Sequence, residues 1–176
     1  MIVFVVLASL DNVAIGLVPP LYGSIGADLG VGEARIALAT TAMFLISAVA
    51  AIGFAYAGDR TDRKPVLVAG TAIWVAGTVW SGLSGDYLNF LLSQVLAAFG
   101  LGAVASVGFA VVSDLISPRR RGLAMSFWGL SQGLGTIAGT LVGGLLGHED
   151  WRRPFLVVAA AGVIATVAYL LTYDVP

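Results

Sequence analysis

The sequence predicts an all-α membrane protein, with six transmembrane helices arranged as two inverted three-helix repeats. Three observations predict it: composition, six long apolar stretches, and a basic loop that recurs at a constant offset. Of 176 residues, 59% are hydrophobic and 11% charged, and the mean hydropathy is +0.96. A soluble domain carries about 25% charged residues, so water is not the solvent of this chain. The 23 glycines agree, because helices pack closely in lipid through small residues. A net charge of −1 gives no reason to expect a nucleic-acid partner. The lack of cysteine excludes disulfides, thiol chemistry and zinc–thiolate sites.

Crossing the hydrocarbon core takes about 20 residues, and six stretches are long enough. They run from Ile2 to about Tyr22, Ala34 to Ala57, Pro65 to Leu83, Tyr87 to Ile116, Gly122 to Leu146 and Pro154 to Tyr173. None alternates apolar and polar residues, as a spanning strand would. The first lacks a basic leader and carries Asp11 and Asn12 centrally, so it reads as a span and not a signal peptide. Short connections make consecutive helices antiparallel neighbours. Arg60, Arg63, Lys64, Arg119, Arg120 and Arg121 share one side and make up six of the nine basic residues. By the positive-inside rule both termini lie in the cytoplasm, which makes this a multi-pass protein of the plasma or inner cell membrane.

Gly58, Arg63, Lys64 and Pro65 recur at one offset as Gly147, Arg152, Arg153 and Pro154. The same offset lays helices one to three on helices four to six, giving repeats of about 1–84 and 85–176 within one bundle, 1–176. An odd number of helices per repeat inverts the second copy, a known transporter device with the substrate site at the repeat interface.

The loop Ala55-Tyr56-Ala57-Gly58-Asp59-Arg60-Thr61-Asp62-Arg63-Lys64 resembles the major facilitator superfamily motif G-x-x-x-D-R-x-G-R-R/K. Asp59, Arg60, Arg63 and Lys64 match; Ala55 and Asp62 replace the two glycines. If the motif's second glycine position needs φ > 0, Asp62 is strained there. The resemblance implies a cytoplasmic latch, in which Asp59 and Arg63 join Asp114 at the end of the fourth helix. Gly135, Gly139, Gly143 and Gly147 recur every four residues as a packing ridge. Gly139-Thr140-Leu141-Val142-Gly143-Gly144 is similar to the family's antiporter motif G-P-x-x-G-G, with Thr140 for the proline. Trp151-Arg152-Arg153-Pro154-Phe155 resembles the family's entry to the sixth helix. The likeness implies the amino-terminal half of a major facilitator fold, and helices four and five faintly resemble its spinster-type branch, which implies lipid-like cargo. Leu96 stands where the motif R-x-x-x-G-x-G has an arginine tied to proton coupling.

An acid inside an apolar span costs roughly 3 kcal/mol on insertion scales. Asp11, which matches the family's first-helix acid, is therefore a candidate proton carrier, with Asn12 beside it. Trp128, Gln132, Thr136 and Thr140 form an i, i+4 line about 100° from the glycine ridge, and Gln94 is a candidate to join them at a cavity. Each of these could equally hydrogen-bond a neighbouring helix. His148 belongs to an outer loop. The sequence offers no nucleophile–base pair, metal cluster, phosphate loop or cofactor motif, so it does not read as an enzyme. The expectation is a secondary active transporter of a small organic solute, working by alternating access with proton-coupled efflux as one form. Its partners would be the solute, the bilayer and a second six-helix half or a second copy. The alternative is a half-length membrane module that acts only through assembly. An end at Asp174-Val175-Pro176, where the family's central linker would begin, favours a fragment or a half-transporter.

Overall fold

The computed structural model describes residues 2–115 and 121–171, excepting the side chains of residues 2–8, 11, 109, 111–115, 121, 123 and 124. Asp11, Asp114, Arg119, Arg120 and Arg121 thus lie outside the described side chains. The described chain is helical throughout: α1 (Ile2–Leu17), α2 (Tyr22–Asp28), α3 (Glu33–Gly58), α4 (Arg63–Leu83), α5 (Tyr87–Leu115), α6 (Arg121–Leu146) and α7 (Arg152–Leu170). Among the described residues, α3, α4, Tyr87–Gly108 of α5, and α7 are each long and apolar enough to cross a membrane. The 16-residue α1 and the glycine-rich α6 are not in that group.

The first apolar stretch departs from a single helix. Pro19 and Pro20 supply no backbone N–H, so α1 stops at Leu17 and a 3-10 turn, Pro19–Leu21, carries the chain into α2. Gly30 then adopts φ 65°, and the Val31 N–H reaches back to the Gly26 carbonyl at 2.9 Å. A left-handed residue just past a helix end is the usual way to close its last turn.

Asp62 is not strained. It caps α4 from an extended conformation, φ −61° and ψ 130°, which any residue adopts. Nor does α6 break at Thr140, since without proline the helix runs unbroken from Arg121 to Leu146. Pro65 and Pro154 are each the third residue of their helix, in α4 and α7. Proline is tolerated in the first turn because those N–H groups have no intrahelical acceptor.

Helices α3, α4, α5 and α7 pack around a main core in which Ile36, Trp74, Phe90 and Phe155 are buried, α1 joins it through Leu17, and a smaller cluster forms around Leu67. Glycine sets the closest approaches. A methyl group at Gly77 would stand 2.7 Å from Ala97 Cα, and one at Gly102 would stand 2.7 Å from the Ala51 nitrogen. Helix α6 packs mainly on α1 and exposes Phe127, Leu130, Leu134, Ile137, Leu141 and Leu145. Buried hydroxyls turn to carbonyls of their own helix, as Thr71 to Leu67 and Thr78 to Trp74, both at 2.8 Å. In a bilayer every polar group must find such an internal partner.

Candidate functional site

The polar groups collect in four places: the α4–α5 seam, the α1–α6 seam and each of the two ends of the bundle. In the α4–α5 seam, Ser81 Oγ lies 2.8 Å from Ser93 Oγ, and Gln94 Nε2 donates to Ser81 Oγ at 3.0 Å. All three residues are buried. Gln94 therefore turns to α4, not to the α6 line it was expected to join. The reason is packing: α5 is sandwiched between α3 and α4 and makes little contact with α6. Beside Gln94 is a cavity of about 10 Å³, bounded by Trp74, Thr78 and Leu101 among others. That volume is the size of one water, far below the 300–1,000 Å³ of organic-ligand pockets.

In the α1–α6 seam the glycines of α6 lie directly on the α1 backbone. A methyl group at Gly135 would stand 2.6 Å from the Ser9 carbonyl oxygen, and one at Gly143 would stand 2.5 Å from that of Leu17. Gly139 faces Val13, and Gly16 of α1 faces Thr136. Gly144 does not share the seam. One residue past Gly143 it is rotated by about 100°, and a methyl group there meets open space. Asn12 is buried, with its Cβ against Gly135. The α6 polar line borders this seam: Thr136 is half-buried, and Thr140 Oγ1 donates to the Gly16 carbonyl at 3.2 Å. Gln132 is half-buried, and Trp128 packs towards the small cluster around Leu67, Val104 and Val107. The side chain of Asp11, on α1 one residue before Asn12, is outside the described set.

At the cytoplasmic end of the predicted topology, Asp59 follows α3 as its C-cap, and its N–H bonds the Ala55 carbonyl at 3.0 Å. The Arg60 guanidinium stacks 4.1 Å over the Tyr56 ring, a cation–π contact. Arg63 and Lys64 open α4 and are half-buried. Their expected acid partner, Asp114, has no described side chain.

At the opposite end there is a cluster that the sequence reading missed. Asp28 Oδ2 accepts from Trp151 Nε1 at 3.2 Å and pairs with Arg152 Nη2 at 2.8 Å. Arg152 Nη2 also donates to the Ser84 carbonyl at 3.1 Å. The Trp151 indole N–H, and then Arg152, hold the Asp28 carboxyl below the usual carboxylate range. In the sequence Asp28 has no assigned role, and Trp151-Arg152 reads there only as the entry to a helix. Nothing local links residue 28 to residue 152. Among the described residues, no group of three or more His, Cys, Asp or Glu is placed to hold a metal ion.

Long apolar helices joined through glycine seams, with few polar groups turned inward, are what a membrane-embedded helical bundle requires. Residues 2–176 match the sequence profile of the Major Facilitator Superfamily. The chain belongs to that family, one of membrane transporters and not of enzymes. It is 34% identical to the inner membrane transport protein YajR of Escherichia coli K12, over 93% of this chain and 36% of that protein. It is 31% identical to the multidrug resistance protein MdtL of E. coli SMS-3-5, over 89% and 39%. Its fold matches an inward-facing, unoccupied bacterial homologue of the human lysosomal transporter Spinster with a TM-score of 0.89, at 21% identity, over 99% of this chain and 42% of that one. The inward-open xylose transporter XylE of E. coli gives 0.80 at 13% identity, over 99% and 47%. The chain spans less than half the length of each of these relatives.

Proposed function

We propose that this chain is the amino-terminal half of a secondary active transporter that moves a small organic solute across the cell membrane by alternating access. Membership of the Major Facilitator Superfamily across residues 2–176 carries the reading. Names such as multidrug resistance protein among the relatives support a drug-like organic cargo, moved outward. In this reading α1 with its 3-10 turn and α2 forms the first of six spans, and α3 to α7 form the rest. Repeats of about 1–84 and 85–176 are inverted, an arrangement supported by the matching places of Pro65 and Pro154. Both termini are cytoplasmic, and a second six-helix half or a second copy completes the cavity. Asp59, Arg60, Arg63, Lys64 and Asp114 form the cytoplasmic latch. Asp11 carries the proton, and Asn12, Trp128, Gln132 and Thr136 border the solute path. Leu96 stands in place of the family's coupling arginine, which weakens the proton-coupled form of this reading.

The test is Asp11→Asn, which keeps size and removes charge, in the complete assembly. Ethidium efflux from vesicles under an imposed pH gradient should be abolished while expression and helicity stay at wild-type level. A variant that pumps normally across the gradient removes Asp11 from the mechanism.

A further inference from the structure

The cluster around Arg152 joins three segments that are far apart in sequence. Asp28 ends α2, Ser84 caps the end of α4, and Trp151 and Arg152 begin α7. The Trp151 ring cannot swing freely. It is buried, and it meets Phe90 and Phe155 edge-on with centroids 6.0 Å away in each case. Its N–H is thereby aimed at Asp28 by the aromatic core. The Arg152 guanidinium lies 4.4 Å over the same indole and spans from the Asp28 carboxylate to the Ser84 carbonyl. That carbonyl belongs to the end of α4, where carbonyls lack intrahelical donors and the helix dipole is negative. One terminal nitrogen, Nη2, meets both acceptors while the guanidinium plane stacks on the indole, a combination that a tetrahedral ammonium cannot reproduce.

The Arg152 and Asp28 side chains are 32% and 45% exposed, and ion pairs so open to solvent contribute little to stability. Such an arrangement fixes geometry more than it strengthens the fold. Resting on the transport reading above, we infer that Arg152 is a positioning residue for transport: its clasp on Asp28 and Ser84 makes the outer ends of the first, third and sixth spans move as one body. The clasp does not sense ordinary pH. The charged and titratable groups bordering Asp28 are Arg152, Glu149, Asp150 and His148 of the α6–α7 corner, while Glu33 of α3 lies further back, beside Gly23. Because Asp28 is held below its ordinary value of about 3.9, the pair is complete above that value. It is lost only as pH falls through the lower folded value.

The test uses spin labels on Gly85→Cys and His148→Cys, both exposed, in a chain that has no cysteine of its own. In lipid nanodiscs the distance distribution between them should be narrow, and it should broaden in Arg152→Gln and Arg152→Lys but not in Asp28→Glu. The thermal unfolding midpoint should move little in any of them. In the complete assembly, ethidium efflux by Arg152→Lys should fall severalfold at unchanged KM, and that fold-loss should be the same at pH 5 and at pH 8. An unchanged distribution in both Arg152 variants overturns the clasp, as does a distribution already broad with Arg152 in place. Broadening with unaltered efflux overturns its role in transport. If the wild-type assembly moves no ethidium, the drug-efflux reading fails, and the distance measurement alone decides the clasp.

Discussion

Two seams hold the bundle together, and they do so by different means. Between α4 and α5, glycines bring the backbones close, and a buried chain of Ser93, Ser81 and Gln94 then crosses the gap. Between α1 and α6 the glycines lie on carbonyl oxygens, and one described side-chain hydrogen bond, Thr140 to Gly16, crosses over. In lipid no hydrophobic force drives helices together, so contact area and hydrogen bonds must do it. The α4–α5 seam is flanked by α3 and α7, whereas α6 has little contact beyond α1. A glycine of either seam leaves no room for an added atom, so the seams differ in what surrounds them: the first is buttressed on both sides and the second is not.

Gly139→Leu should have the largest effect. Its added atoms meet the Val13 backbone, which cannot move aside as a side chain would. We expect destabilisation at or above the top of the about 1–3 kcal/mol usual for overpacking, read as a lower thermal midpoint in detergent. An unchanged midpoint would mean that α6 does not depend on this contact. Gln94→Leu and Ser81→Ala should each cost less, about 0.6–1.7 kcal/mol as interhelical hydrogen bonds do in membranes. The double variant should cost less than their sum, because both remove one shared bond. Full additivity would show that the Ser81–Gln94 bond contributes nothing. Gly144→Ala should be the smallest change, with the opposite sign. It meets open space, so the better helix former should raise stability by up to about 1 kcal/mol. A loss there would place an unseen neighbour on that face of α6.

The helices themselves were legible because spans of about 20 apolar residues leave little choice of structure. Their ends at Glu33, Arg63 and Tyr87 fall within two residues of where hydropathy changes. The turn at Pro19-Pro20 was legible in principle, but composition alone ran a helix through it. The glycine spacing of 135, 139 and 143 marked one face of α6, and periodicity also sets Gly144 off that face although the motif includes it. Pairings across the bundle were another matter. Gln94 reads from sequence equally as a cavity residue or as a hydrogen-bond partner of a neighbouring helix, and that its partner is Ser81 on the preceding helix is visible only in tertiary packing. Asp28 carries no local sign of a partner, and Arg152 reads as part of a recurring loop, until the fold brings the two to 2.8 Å.

The glycine face of α1 bears on the order in which the bundle can close. Gly16 meets Thr136, and its helix is met along its length by α6, more than a hundred residues further along the chain. The α1–α6 seam can therefore form only after α3, α4 and α5, with their contacts to one another, are already part of the chain.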